Sequence, residues 1–181
     1  MAVSSYRRAA PFSRFSIMMH WLMLALLAGV YACIELREFY PRGSDVREGL
    51  KTWHFMLGLS VFALVWVRLA ARLLSPRLPA SRRRPGALAV AVHVALYILM
   101  VAMPIMGWML LSAEGKVVPF FGLVLPPLVA PSAALAGRIE GLHTMIGVVG
   151  YWLVGLHAAA ALFHHYVLRD TTLRRMLPGL P

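Results

Sequence analysis

Residues 141–168 read GLHTMIGVVGYWLVGLHAAAALFHHYVL, a run with no Asp, Glu, Lys or Arg. A bilayer core about 30 Å thick takes about 20 apolar residues as a helix. In hydrocarbon the backbone must satisfy its own hydrogen bonds, so a run this long reads as a membrane-spanning helix. Three more uncharged runs lie upstream, at 15–34, 52–67 and 85–113. The second reaches bilayer length only past Arg68, whose aliphatic stem can snorkel to the interface. The first is no cleavable signal, because its apolar core is too long and Tyr31-Ala32-Cys33-Ile34-Glu35 lacks a small-x-small site.

The composition agrees. Of 181 residues, 60% are hydrophobic and 14% charged, with mean hydropathy +0.72. Soluble domains are nearer half apolar and a quarter charged. The net charge of +11 would suggest nucleic acid on a soluble chain, but the cations sit between apolar runs, where topology explains them and no nucleic-acid partner is implied. Cys33 is the single cysteine, which excludes an internal disulfide and any CxxC motif. No internal repeat or second domain is visible, so residues 1–181 read as one membrane domain.

A fifth uncharged run, 117–137, carries Pro119, Pro126, Pro127 and Pro131. Prolines remove helix hydrogen bonds, and this run is expected to be an apolar loop at the interface. The expected architecture is all-α: an integral membrane four-helix bundle. Its spans lie at about 15–35, 52–72, 86–111 and 141–165, with an inner loop at 73–85 and outer loops at 36–51 and 112–140.

Arginines orient it. Arg7, Arg8, Arg14, Arg68, Arg72, Arg77, Arg82, Arg83, Arg84, Arg169, Arg174 and Arg175 fall on one side. The other side has Arg37, Arg42, Arg47, Lys51, Lys116 and Arg138, balanced by Glu35, Glu38, Asp45, Glu48, Glu114 and Glu140. The positive-inside rule places both termini in the cytoplasm.

Histidines carry the chemistry. Ionisable side chains in a span are costly and read as functional by default. His54 is the third residue after Lys51 and His143 the third after Glu140, on helices that both enter from outside. These two share a depth near the outer face. His157 follows His143 by fourteen residues, close to four turns, so it lies on the same face about 21 Å further in. His20, six residues after Arg14 on a helix entering from inside, matches that depth.

The result is two pairs, His54/His143 outside and His20/His157 inside. Imidazoles on facing helices are the usual axial ligands of haem held in a bundle. Without CxxCH such haem is non-covalent, of b type. Gly58 and Gly147, each one turn from a candidate ligand, with Gly150 beyond, leave room for a flat macrocycle. Zinc or copper would want acids, thiolates or tighter clusters, and none lie at these depths. A single histidine would read as a hydrogen bond between helices; four at two matched depths point to ligation. Proton conduction through a histidine relay stays open as an alternative, although no acidic stepping stone lies between the layers. His93, slightly deeper than the inner pair, reads as a second contact to a cofactor or quinone. His164 and His165 anchor the inner end of the last span, with proton delivery as a further role. The tryptophans and tyrosines form an interfacial belt, and the methionines pack.

These residues resemble the bacterial cytochrome b561 family of small four-helix di-haem cytochromes. The resemblance rests on Arg14-Phe-Ser-Ile-Met-Met-His20-Trp21, on Glu35-Leu-Arg37-Glu-Phe-Tyr-Pro41-Arg42, and on Trp53-His54 with Val67-Arg68-Leu69. Its strongest stretch runs from Leu142-His143 through Gly155-Leu-His157 to His164-His165-Tyr166. The resemblance implies two haems b in a multi-pass protein of the bacterial inner membrane, with His20, His54, His143 and His157 at the ligand positions. It also implies exchange of electrons with the ubiquinone pool. Similar members oxidise superoxide to oxygen at the outer face and reduce ubiquinone. On that reading Lys51, Arg42 and Lys116 draw in substrate or hold haem propionates, with Arg14 and Arg68 as inner counterparts. The outer cations and acids cancel, so no net steering of an anion is expected. A second reading reverses the flow, from quinol to a periplasmic redox partner. A third is a non-redox ion or proton conductor.

Overall fold

The computed structural model describes residues 13–74, 86–171 and 173–177. Arg7, Arg8, Arg77, Arg82, Arg83, Arg84 and the tail at 179–181 lie outside them. Four helices are long and apolar enough to cross a membrane. They are α1 (Arg14–Leu36), α2 (Asp45–Leu74), α3 (Ala87–Ala113) and α4 (Ala133–Tyr166). Ser13 caps α1 by accepting from the Ser16 amide at 3.2 Å, and Ser132 does the same for α4 through the Leu135 amide. A short 3₁₀ turn, Arg37–Phe39, extends α1.

Both helices that enter from outside start earlier than the apolar runs indicate. α2 begins at Asp45 rather than near 52, and α4 at Ala133 rather than near 141. The expected outer loops at 36–51 and 112–140 are shortened accordingly. The reason is physical: loss of charge marks where lipid begins, whereas a helix begins at its cap. Asp45 and Glu48 in the first turn of α2 suit the positive end of the helix dipole.

The proline-bearing part of the run, 117–131, forms no helix, as expected, whereas its last residues, 133–137, open α4 instead of lying in a loop. It holds instead a two-stranded antiparallel hairpin, β1 (Val118–Phe120) and β2 (Leu123–Leu125), in the register Val118↔Leu125. Phe121 and Gly122 turn it with positive φ values of 45° and 86°, the geometry of a tight two-residue hairpin turn. The hairpin is pinned to the bundle. Val118 is buried against Leu59 and Leu111. The Trp108 indole donates to the Pro126 carbonyl at 2.9 Å, and the Leu128 amide to Ser112 Oγ at 3.1 Å.

Helix packing is uneven. α1 lies on α2, α2 on α3 and α3 on α4, but α1 and α4 make no comparable contact. One core of Met23, Val61, Val65 and Met100 joins the first three helices. Tyr31 and Tyr151 bridge the α1–α4 seam, and the histidine pairs face α4 from the other side of it, His20 from α1 and His54 from α2. At the inner end the Trp21 indole donates to the Met176 carbonyl at 2.6 Å, tying the C-terminal segment back to α1.

Candidate functional site

The structure brings together the four histidines as two matched pairs. The His54 and His143 ring centroids are 6.3 Å apart with planes at 71°. Those of His20 and His157 are 6.2 Å apart, also at 71°. An imidazole nitrogen binds a first-row metal at about 2.0 Å, and its ring centre lies about 1.1 Å behind. Two imidazoles on opposite sides of one metal therefore have centroids about 6.3 Å apart. Both pairs meet that spacing. His93 and His157, at 5.2 Å, are about 1 Å too close.

Hydrogen bonds decide which nitrogen is free. His54 Nδ1 lies 2.9 Å from the Val30 carbonyl, which only accepts, so Nδ1 carries the proton and Nε2 offers its lone pair. That is the usual support of a ligating histidine. His93 Nδ1 likewise donates to the Ala89 carbonyl at 2.6 Å. His143 Nδ1 is buried with no protein partner among the described residues. At the inner pair, Arg68 Nη2 donates toward His20 Nδ1 at 3.3 Å and Nη1 toward the Ser16 carbonyl at 3.4 Å. No group of three or more His, Cys, Asp and Glu side chains suited to a bare metal ion occurs among the described residues. Two imidazoles and open space fit a metal that brings its own equatorial ligands, as haem iron does.

A cavity of about 420 Å³ adjoins the outer pair. Gly58, Gly107 and Gly147 line it. A Cβ on Gly58 would meet nothing within 4 Å, whereas one on Gly107 would approach His143 Cε1 at 3.5 Å. Gly107 was not evident from sequence, because its neighbour is on another helix. Gly150 does a different job from the clearance expected of it. A Cβ there would collide with the Tyr31 hydroxyl and press Leu99 Cδ2 at 3.2 Å, so Gly150 lets Tyr31 cross the seam.

The expected substrate cations are mostly engaged. Lys51 pairs with Glu48 at 2.7 Å and Lys116 with Glu114 at 3.1 Å, and both line the cavity. Arg42 is exposed and lies outside the cavity lining. Arg47 is only 8% exposed and clamps the outer turn, donating to the Arg37 and Tyr40 carbonyls and to both oxygens of Glu38. Arg37, Lys51 and Lys116 line the cavity alongside Glu35, Glu38, Glu114 and Glu140. With Arg47 bonded to Glu38, acids and cations around the cavity balance. His164 Nδ1 stands 2.6 Å from Asp170 Oδ2 at the inner end of α4. Arg14 opens α1 with an exposed side chain.

Four membrane-spanning helices with paired imidazoles at metal-bridging distance define a membrane haem protein of the electron-transfer class. The sequence comparisons agree. The chain belongs to the prokaryotic cytochrome b561 family, whose profile matches residues 11–179. It is 35% identical over 173 residues to cytochrome b561 homolog 1 of Escherichia coli (strain K12), covering 92% of this chain and 97% of that one. It is 35% identical over 171 residues to the probable superoxide oxidase CybB of Yersinia pestis, covering 92% and 96%. Cytochrome b561 homolog 2 of Escherichia coli (strain K12) is 29% identical, over 87% of this chain and 86% of its own. The protein is therefore a multi-pass haem b electron-transfer protein of the bacterial inner membrane, with an oxidoreductase role.

Proposed function

We propose that the protein binds two haems b, one between His54 and His143 and one between His20 and His157. In this reading it oxidises superoxide to oxygen at the periplasmic face and reduces ubiquinone from the bilayer. The observation that carries it is the pair of histidine spacings, 6.2 and 6.3 Å, at two depths. The name of the Yersinia pestis relative supports superoxide as donor. Haem held by these histidines would supply one-electron chemistry at each pair.

The chain does the rest. The Val30 carbonyl holds the His54 ring in the tautomer that ligates. The apolar core of Met23, Val61, Val65 and Met100 excludes water between helices. Lys51, Lys116 and Arg42 are the candidate contacts for substrate or haem carboxylates. Single-electron donors and a two-electron acceptor require a protein that holds one electron while awaiting the next, which two centres provide.

One observation favours the reverse flow, quinol to a periplasmic redox partner. The charges around the cavity balance, with Glu38 bonded to Arg47, and so offer a superoxide anion no net steering. Stopped-flow mixing separates the two readings: superoxide must reduce the oxidised protein faster than quinol does. Haem stoichiometry tests the sites. His54→Ala and His143→Ala should each leave one haem per chain, and a loss on His93→Ala with none on His143→Ala would refute the ligand set.

A further inference from the structure

Beyond α3 the chain turns back toward the bilayer. Glu114 and Lys116 are the first charged residues past that helix, and Gly115 between them, with φ 69°, makes the turn. Two residues later Val118 is buried against Leu59 and Leu111. Leu59 lies eight residues past Lys51, with no charge between, so this contact stands about 12 Å inside the charged edge of α2. The polar groups that descend with the hairpin are met by α3. Trp108 donates to the Pro126 carbonyl, and the Leu128 amide donates to Ser112 Oγ, as backbone at hydrocarbon depth requires.

Between the hairpin and this turn lies a groove of about 280 Å³. Its walls are Val117, Val118, Val124, Leu125, Pro127 and Pro131. Among its described lining residues Lys116 is the one that carries a charge, and the Ser112 hydroxyl is already spent on the Trp108 carbonyl and the Leu128 amide. The groove is separate from the cavity of the outer histidine pair, with which it shares only Lys116 and Val118. At about 30 Å³ each, the share of a water in the liquid, it has room for about nine heavy-atom groups. Water fills it badly, because a buried water needs two to four polar partners. Val117 and Val124 in its walls are 64% and 70% exposed. What covers them is what covers the apolar helix faces beside them, an acyl chain of the bilayer.

Charge at the rim selects the headgroup. Lys116 Nζ stands 3.1 Å from Glu114 Oε2, yet the lysine side chain is 62% exposed and an ammonium has three donors. The rim therefore presents a cation and an anion side by side. A phosphate with no other charge gains Lys116 and is repelled by Glu114. A phosphate that carries its own primary ammonium satisfies both. We propose that this groove binds one zwitterionic phospholipid of the outer leaflet, with an ethanolamine headgroup. Its acyl chain lies between the hairpin and the α3–α4 turn, its phosphate on Lys116 and its ammonium on Glu114. The chain fills the space beside Val118 and so helps to hold β1 on Leu59 and Leu111. The site is independent of the direction in which electrons flow.

The test places the full-length haem-loaded protein in nanodiscs of equimolar palmitoyl-oleoyl phosphatidylethanolamine and phosphatidylglycerol, releases it into mild detergent and weighs it by native mass spectrometry. The wild type should keep one phosphatidylethanolamine per chain, in about tenfold preference over phosphatidylglycerol, the ratio that one hydrogen bond to a charged group supplies. Glu114→Gln removes the partner of the ammonium and the repulsion of an anionic head, and should erase or invert that preference. Lys116→Met should lower retention of both lipids about tenfold. Val124→Trp fills the groove and should abolish retention with haem content unchanged. Wild-type protein that keeps no lipid, or keeps the two equally, overturns the site. Retention left intact by Val124→Trp puts the lipid elsewhere and overturns it too. Should Val124→Trp lose haem or fail to fold, the Glu114→Gln ratio decides alone: an unmoved preference overturns the proposal and an erased or inverted one upholds it.

Discussion

Replacing Arg68 by Met keeps the aliphatic stem and deletes a guanidinium that stands beside the inner histidine pair. Arg68 Nη2 is 3.3 Å from His20 Nδ1, so a metal bound at Nε2 would lie about 7 Å from that charge. At an effective dielectric of 20, a unit charge at this range is worth about 2.4 kcal/mol. For a one-electron couple that is about 100 mV. A nearby cation favours the reduced state, so its loss lowers the potential. The magnitude survives loading with haem. With a metal at Nε2, Nδ1 would carry a proton and no longer accept from Arg68, while the Ser16 carbonyl would keep the guanidinium nearby. The assay is an anaerobic redox titration followed at the haem absorption bands, with His20→Ala identifying the inner component. That component should fall by about 100 mV in Arg68→Met, and the outer one, about 21 Å away, by a third of that or less. An unmoved inner potential, or a shift confined to the outer one, would refute the placement of Arg68 and the inner pairing together.

Three further outcomes are expected. Ring planes at 71° in both pairs leave two iron orbitals close in energy, so the oxidised protein should show low-spin electron paramagnetic resonance at unusually low field; an ordinary rhombic spectrum would mean the rings are parallel. Gly150→Ala should cost about 1–3 kcal/mol of stability through overpacking against Tyr31 and Leu99, read as a lower thermal midpoint. Gly58→Leu faces open space and should instead lower haem content with the midpoint of the haem-free protein unchanged. With Lys51 and Lys116 ion-paired and the charges around the cavity balanced, reduction by superoxide should change less than about twofold over a tenfold range of ionic strength; a steep fall would restore these lysines as steering groups.

What was legible in the sequence was whatever depends on distance along one helix. Counting from Lys51 to His54 and from Glu140 to His143 set the depth of the outer pair, and the fourteen residues from His143 to His157 set the depth and face of the inner one. Helical rise is fixed, so such counts carry directly into three dimensions. The helix starts were less legible: Asp45 and Ala133 lie among polar residues that hydropathy assigns to loops. Arg47 looked like any outer cation, because nothing in its spacing shows that Glu38 and two carbonyls fold back around it. The prolines at 119, 126, 127 and 131 excluded a helix but did not reveal the hairpin, whose turn depends on Phe121 and Gly122 at positive φ.

The α1–α4 seam was hidden for a different reason. Tyr31 and Tyr151 are 120 residues apart, and each alone fits the aromatic belt of a membrane protein. Their meeting depends on which helices fail to pack, a property of no single helix. The histidines face α4 from two helices, His20 from α1 and His54 from α2. Ring centroids 6.2–6.3 Å apart put the nitrogens of each pair too far apart for a hydrogen bond between them, so the pairs would be weak staples by themselves. Three well-packed interfaces, α1 on α2, α2 on α3 and α3 on α4, hold the bundle, and that leaves the fourth free of that task. A substitution that closed this seam with small residues should therefore be tolerated by the fold and cost haem first.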